Sequence, residues 1–362
     1  MLLRLCVSLV LFASLLGNDP ANAQDVPWLS EVITAPANPI LPSPGRLDPL
    51  LPGPSSTLAD WEQQRPQLLA RWHEFLGPMP QPGPLHLQVL KTEQVGDIER
   101  RLVEYDGEPG LRVQGWLLEP RERAGRLPAL VGLHQTTNAS IDEIAGVSGP
   151  DAMQIGLKLA RRGFVVFCPR CFLWQDADSL NAAVDQHRRR HPQTTGMAKM
   201  LYDARRAVDL LESLESVDRS RIGAVGHSLG AKEALYLAAF DERIRAAVSC
   251  EGGLGFRSTN WDAPWYLGAE IRSEDFPLNH HQLLGLIAPR PFLVIGGESG
   301  PGAADGDRSW VLLNAALPVW KLYGNPQRLG LLNHRQGHSI PDTAFERMAA
   351  WLQVYTGTQH PR

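Results

Sequence analysis

Gly226-His227-Ser228-Leu229-Gly230 puts a hydroxyl where a short apolar run, 222–225, gives way to a helical pattern over 231–240. Strand, sharp turn and helix in that order force the serine to the apex of a tight turn. Glycines on both sides leave room where side chains would collide with strand and helix, and the result is a nucleophile elbow. A bare Gly-x-Ser-x-Gly carries little weight; this context gives it weight. A serine hydroxyl is a poor nucleophile near neutral pH. It needs a base to take its proton and a carboxylate to fix the tautomer of that base. The chemistry on offer is acyl transfer through a covalent acyl-enzyme.

Chain order for such a site is serine, acid, histidine. The histidine should follow the last strand. The apolar run 329–332 is that strand, and Gly337-His338-Ser339-Ile340-Pro341 lies between it and the final helical pattern. His338 is the expected base, with His334 second. The acid has two sources. Glu251 follows the run 244–248, in Ser-Cys-Glu-Gly-Gly. Glu298, Asp305 and Asp307 follow the run 292–295, the more usual place. Asp305 and Asp307 also suit a helix cap or a polar turn; Glu251 also suits a surface turn, though its place between an apolar strand and two glycines fits that less well. An oxyanion needs two N–H donors. Leu229, at the positive end of the following helix, is one. Gln135, in the turn after 128–133, is the other, with Thr136 next. His134 reads as a packed strand-end residue.

These groups need a scaffold. After a helical pattern from Thr57 to Gly77, three β-like runs (85–90, 101–105, 111–118) precede an alternation of short all-apolar strands and helices. The strands are 128–133, 164–167, 222–225, 244–248, 292–295 and 329–332. The helices are 153–161, 197–215, 232–240, 310–320 and 344–355. Short all-apolar strands between helices predict an α/β fold: a mostly parallel central sheet with an antiparallel N-terminal strand pair and helices on both faces. One domain over 57–358 accounts for the pattern. Two long interruptions, 172–196 and 252–288, follow strand C-termini, the edge where open α/β sheets bind ligands. Trp261, Trp265 and Tyr266 in the second suit stacking on a sugar ring or an aromatic ester; packing of the segment onto the core explains them as well.

Of the 362 residues, 43% are hydrophobic and 20% charged, an ordinary globular composition, and the net charge of −4 supplies no basic field for nucleic acid. The run Arg188-Arg189-Arg190 reads as a solvated face. Residues 1–23 read as a secretory signal with an apolar core and an Ala-Asn-Ala cleavage site, and no later stretch is long enough to span a bilayer. A secreted or periplasmic protein is expected. Residues 24–56, with seven prolines over 33–55, read as an extended leader segment, either wrapping the domain or leading into it. Cys168 and Cys171 read as a structural disulfide or as two buried thiols, with Cys250 free. No metal-ligand motif is present, and no cofactor is required for the serine chemistry.

The segments Gly226-His-Ser-Leu-Gly230, Leu133-His-Gln-Thr-Thr137 and Ile287-Ala-Pro-Arg-Pro291 resemble the dienelactone hydrolase and acetyl xylan esterase branch of the α/β-hydrolases. Lys232, Asp241-Glu-Arg243, Glu251-Gly-Gly253 and the run from His281 to Arg290 resemble bacterial glucuronoyl esterases. The resemblance covers roughly 125–356. It implies ester hydrolysis on a carbohydrate, acetyl or uronate, with Glu251 where the second family carries its acid and Lys232 as a substrate-contacting lysine beside Trp261 and Trp265. Leu229 stands where glucuronoyl esterases usually carry Arg, which shifts weight toward a plainer ester or acetyl substrate. A serine peptidase of the same fold, and a binding protein that has lost the chemistry, are the competing expectations.

Overall fold

A computed structural model describes Val26, Trp28, Val32, Ala35, Pro36 and residues 45–357. The expected signal, 1–23, lies outside the described residues. The chain runs α1 (Leu58–Leu76), β1 (Gln88–Val95), β2 (Ile98–Asp106), β3 (Arg112–Pro120), β4 (Leu127–Leu133), α2 (Ile141–Ile144), α3 (Ile155–Ala160), β5 (Val165–Pro169), α4 (Leu180–Arg190) and α5 (Gly196–Ser213). It continues through β6 (Val217–His227), α6 (Leu229–Phe240), β7 (Ile244–Cys250), α7 (His280–Ile287), β8 (Phe292–Gly296), α8 (Trp310–Leu322), β9 (Leu329–Asn333) and α9 (Asp342–Thr356).

The nine strands form one sheet in the order β1-β2-β3-β5-β4-β6-β7-β8-β9. From β5 to β9 neighbouring strands are parallel; β1–β2, β2–β3 and β3–β5 are antiparallel. The expected mostly parallel sheet is present, but the antiparallel part is three strands rather than a pair. Its first strand begins at Gln88 instead of 85, because the alternation of Leu85, Leu87 and Val89 starts ahead of the pairing, which opens with Gln88 opposite Glu104.

Each buried strand sends alternate side chains to opposite faces. On one face Val131, Phe167, Ile222 and Ala224 pack under α1, α5, α6, α7 and α8. On the other Leu130, Val166, Val225, Val248 and Ile295 pack under α2, α3 and α9, joined by Val26, Trp28 and Val32 from the leader. The Trp28 ring lies 6.1 Å from that of Trp351 in α9, so this part of the segment packs against the core. The interruptions 172–196 and 252–288 are partly helical. Ser179 caps α4 by accepting from Ala182 N–H, and Asn279 opens α7 with a capping box to Gln282. Among the described residues no helix is long and apolar enough to cross a membrane.

Candidate active site

β6 ends at His227 and α6 begins at Leu229, so Ser228 is the whole connection. Its backbone sits at φ 56° and ψ −112°, a region costly for any residue with a Cβ. The N–H of Ser228 donates to Cys250 O at 2.8 Å, and its carbonyl accepts from Lys232 N–H at 3.2 Å. The flanking glycines are steric necessities. A Cβ on Gly226 would lie 2.1 Å from Gly230 O, and one on Gly230 would lie 2.0 Å from Leu133 O. The bend is therefore clamped between β4 and α6. The Leu229 N–H, at the first position of a 12-residue helix, has no partner within that helix and points its positive end past the serine.

Glu251 follows β7 with φ 59°, its side chain fully buried. One carboxylate oxygen, Oε1, accepts from Gly297 N–H. The other, Oε2, accepts from Ala304 N–H at 2.7 Å and Asp305 N–H at 3.3 Å. An imidazole faces each edge. His338 Nδ1 lies 3.6 Å from Oε2 and His334 Nε2 lies 3.7 Å from Oε1. These are electrostatic approaches just short of closed hydrogen bonds. The two rings differ in what they leave free. His338 is 28% exposed and turns only Nδ1 toward the carboxylate. His334 is 4% exposed, and its Nδ1 accepts from Gln336 N–H at 3.2 Å. His338 thus has the triad orientation, Nδ1 to the acid with Nε2 left for a hydroxyl. Its ring lies 4.7 Å from that of His227, the residue before Ser228.

The other expected carboxylates are engaged elsewhere. Asp307 accepts from Asn333 Nδ2 at 2.8 Å and Arg335 Nη1 at 2.6 Å. Glu298 accepts from Asn333 Nδ2 at 3.0 Å and from Asp307 N–H. Asp305 accepts from Gly253 N–H (2.7 Å), Leu254 N–H (2.8 Å) and the Ser309 hydroxyl (2.6 Å). Asp305 and Glu251 thereby form a reciprocal clasp: each carboxylate holds backbone N–H groups of the loop that carries the other. Burial, with the Glu251 charge nearby, raises the Asp305 pKa above the ordinary carboxylate range.

On the opposite side of the elbow, Gln135 is held by its side chain as well as its backbone. Its Nε2 donates to Glu143 at 2.8 Å, and its Oε1 faces His227 Nδ1 at 3.3 Å. His134 donates from Nδ1 to Gln135 O at 2.8 Å, while its Nε2 accepts from Cys171 N–H at 3.2 Å. Burial drives His134 down to about 4 and His227 down to about 3, so both are neutral at physiological pH and behave as fixed hydrogen-bonding parts. The bracing roles of His134, His227 and the Gln135 side chain are invisible in the sequence, because each depends on contacts between different strand ends.

Lys232 and Trp261, expected at a ligand, lie inside. Lys232 is 4% exposed and donates to Gly252 O and the Thr259 hydroxyl; its Nζ sits 4.2 Å from the centre of the Trp261 ring. Burial lowers its pKa to about 7. Trp261 is 1% exposed and donates from its indole N–H to Gly253 O. Both pin the segment after Glu251 to α6. Trp265 is half-buried, its ring edge-on to Tyr266. Cys168, Cys171 and Cys250 are free and buried, which selects buried thiols over a disulfide. A groove of about 770 Å³ lies away from the elbow, between α1, the Pro78–Pro82 strap and α5.

A nine-stranded, mostly parallel sheet with a serine turn after β6 and a histidine after β9 is the α/β-hydrolase fold. The dienelactone hydrolase family model matches residues 139–264. Among curated proteins, the chain is 24% identical over 236 residues to "Putative hydrolase YtaP" of Bacillus subtilis, with 62% of this chain and 77% of that protein covered. It is 26% identical over 176 residues to 4-O-methyl-glucuronoyl methylesterase of Phanerochaete carnosa, where only 38% of this chain and 40% of that protein are covered. Among solved structures, a glucuronoyl esterase from Solibacter usitatus superposes with a TM-score of 0.70 at 19% identity, covering 87% of this chain and 99% of that one. The acetyl xylan esterase from Paenibacillus sp. R4 superposes with a TM-score of 0.56 at 19% identity, covering 85% and 97%. At these identities the structural likeness establishes the fold.

Proposed function

We propose that this chain is a carboxylic ester hydrolase that acts on esters of carbohydrates through a serine acyl-enzyme. Ser228 attacks the ester carbonyl. His338 takes its proton through Nε2 and returns it to the leaving alcohol. Glu251 holds Nδ1–H and steadies the imidazolium. The N–H groups of Leu229 and Gln135 receive the oxyanion. Water then repeats the sequence on the acyl-enzyme, releasing the acid and free Ser228.

The observation that carries this reading is the buried Glu251 carboxylate 3.6 Å from His338 Nδ1, on a histidine whose ring neighbours the elbow. Hydrogen bonds at such sites commonly tighten only when substrate is bound. The family match and the carbohydrate-esterase relatives support the ester and the sugar. Leu229 after the nucleophile favours an acetyl or other small acyl group over a uronate ester. An exported protein fits a polysaccharide substrate and the reading of residues 1–23. The test is hydrolysis of p-nitrophenyl acetate, acetylated xylan and a methyl glucuronate ester by the wild type and Ser228→Ala. The wild type should cleave at least one, and the variant should lose about 10⁴-fold or more in kcat. Hydrolysis that survives the substitution would remove Ser228 as nucleophile.

A further inference from the structure

Two imidazoles approach Glu251, and the mechanism above uses only one. We propose that His334 is a positioning residue: its Nε2–H holds the Oε1 edge of Glu251 so that the Oε2 edge stays turned toward His338. This rests on the assignment of Ser228, His338 and Glu251 given under the proposed function.

The tautomer of His334 follows from its surroundings. Gln336 N–H donates to Nδ1 at 3.2 Å, so Nδ1 must carry the lone pair and the neutral ring must carry its proton on Nε2. The Nε2 atom lies 3.7 Å from Glu251 Oε1, and the backbone of Ser339 and of His334 itself also hydrogen-bonds the ring. The ring is fixed at its base as well, because His334 N–H donates to Gly296 O at 2.8 Å, beyond the end of β8. Protonating His334 would set an Nδ1–H against the Gln336 N–H, and burial further disfavours the cation. The charged and titratable groups facing this spot are Glu251 from β7, His338 from the same loop, His227 from β6 and, against Glu251, Asp305 from the β8–α8 loop. Glu251 is the anion among them within reach of the His334 ring.

Removing the Nε2–H donor leaves more negative charge on Glu251. The imidazolium of His338 then gains stability, and its pKa rises. For His334→Phe the expectation is a kcat about tenfold lower with KM little changed. The acid limb of the kcat/KM profile should move up by about half a pH unit. His334→Gln supplies an amide donor and should restore most of both quantities. An unmoved acid limb in the Phe variant, or equal behaviour of Phe and Gln, overturns the proposal while leaving Ser228 and His338 in place. Should the Phe variant fail to fold, ¹⁵N NMR of the wild-type histidines decides: a neutral Nε2–H tautomer for His334 supports the proposal, and an Nδ1–H tautomer overturns it. Activity surviving in Ser228→Ala would instead bring down the reading on which it rests.

Discussion

Glu251→Gln is the most discriminating substitution in this site. The hydrogen-bonding groups at the Glu251 carboxylate are donors, Gly297 N–H at one oxygen and Ala304 N–H and Asp305 N–H at the other, with His334 Nε2 and His338 Nδ1 approaching one oxygen each. A glutamine must therefore set its NH₂ against N–H groups on one edge. Placed at Oε1, it opposes Gly297 and keeps a carbonyl for His338, but the negative charge that stabilises the imidazolium is gone. Placed at Oε2, it opposes Ala304 and Asp305 and forces His338 to accept at Nδ1, which puts the proton on Nε2 and disables the base. The first arrangement loses about 10²-fold in kcat and the second about 10⁴-fold. Losing a hydrogen bond to a buried charged acceptor costs about 1.5–3 kcal/mol, read as a Tm lowered by roughly 2–5 °C. Asp307→Asn is the control. Its partners, Asn333 and the exposed Arg335, lie on a different loop face, and kcat should stay within about threefold. Steady-state kinetics on p-nitrophenyl acetate with thermal melts of both variants provide the assay. A larger kcat loss in Asp307→Asn than in Glu251→Gln would refute the assignment of the acid.

Two further outcomes follow from packing and burial. Gly230→Ala places a methyl 2.0 Å from Leu133 O, with Leu133 C at 2.4 Å and His134 O at 2.9 Å. All three are backbone atoms, so the elbow must open, and the variant should lose activity and at least about 3 kcal/mol of stability by denaturant titration; wild-type stability would contradict the clamped elbow. Glu233, buried in α6, is raised to about 8 by burial, with the Asp203 charge adding to the effect. Below pH 4.5 it is protonated in folded and unfolded chains alike. Between 4.5 and 8 the folded chain alone keeps the proton, so this group's stability is lost as pH rises, at up to about 1.4 kcal/mol per unit. Glu233→Gln mimics the protonated acid and should flatten that decline. Denaturation at pH 5, 6.5 and 8 reads it, and an unchanged slope in the variant would exclude Glu233 as its source.

What could be read from the chain tracks the distance over which each determinant acts. The elbow is decided within five residues, because a strand end, a serine and a helix start impose their own glycines; hence Ser228 and Leu229 are legible at once. His338 needs only the last strand and the final helix to be recognised, both marked by apolar periodicity. The helices α4 and α7 are locally signalled too, by Ser179 and by Asn279 with Gln282, yet the sparse apolar stripe of α4 and the eight-residue length of α7 hide them inside apparent loops. The acid is a different problem. Glu251, Glu298, Asp305 and Asp307 all follow strands on the same sheet edge, and composition cannot rank them. The decision rests on which carboxylate turns inward. Glu251 does so through a left-handed backbone at its own position and N–H donors from Gly297, Ala304 and Asp305 on the next loop. Asp305 returns the clasp through Gly253 and Leu254. Neither half of that arrangement means anything without the other, and β8 lies between them. The same logic explains Lys232 and Trp261. Their types suit a sugar site, and in this structure Lys232 gives two of its three N–H donors to Gly252 O and the Thr259 hydroxyl, while Trp261 gives its indole N–H to Gly253 O. In the proposed mechanism, any contribution of theirs to catalysis would run through the position of Glu251, whose carboxylate lies 3.6 Å from His338 Nδ1.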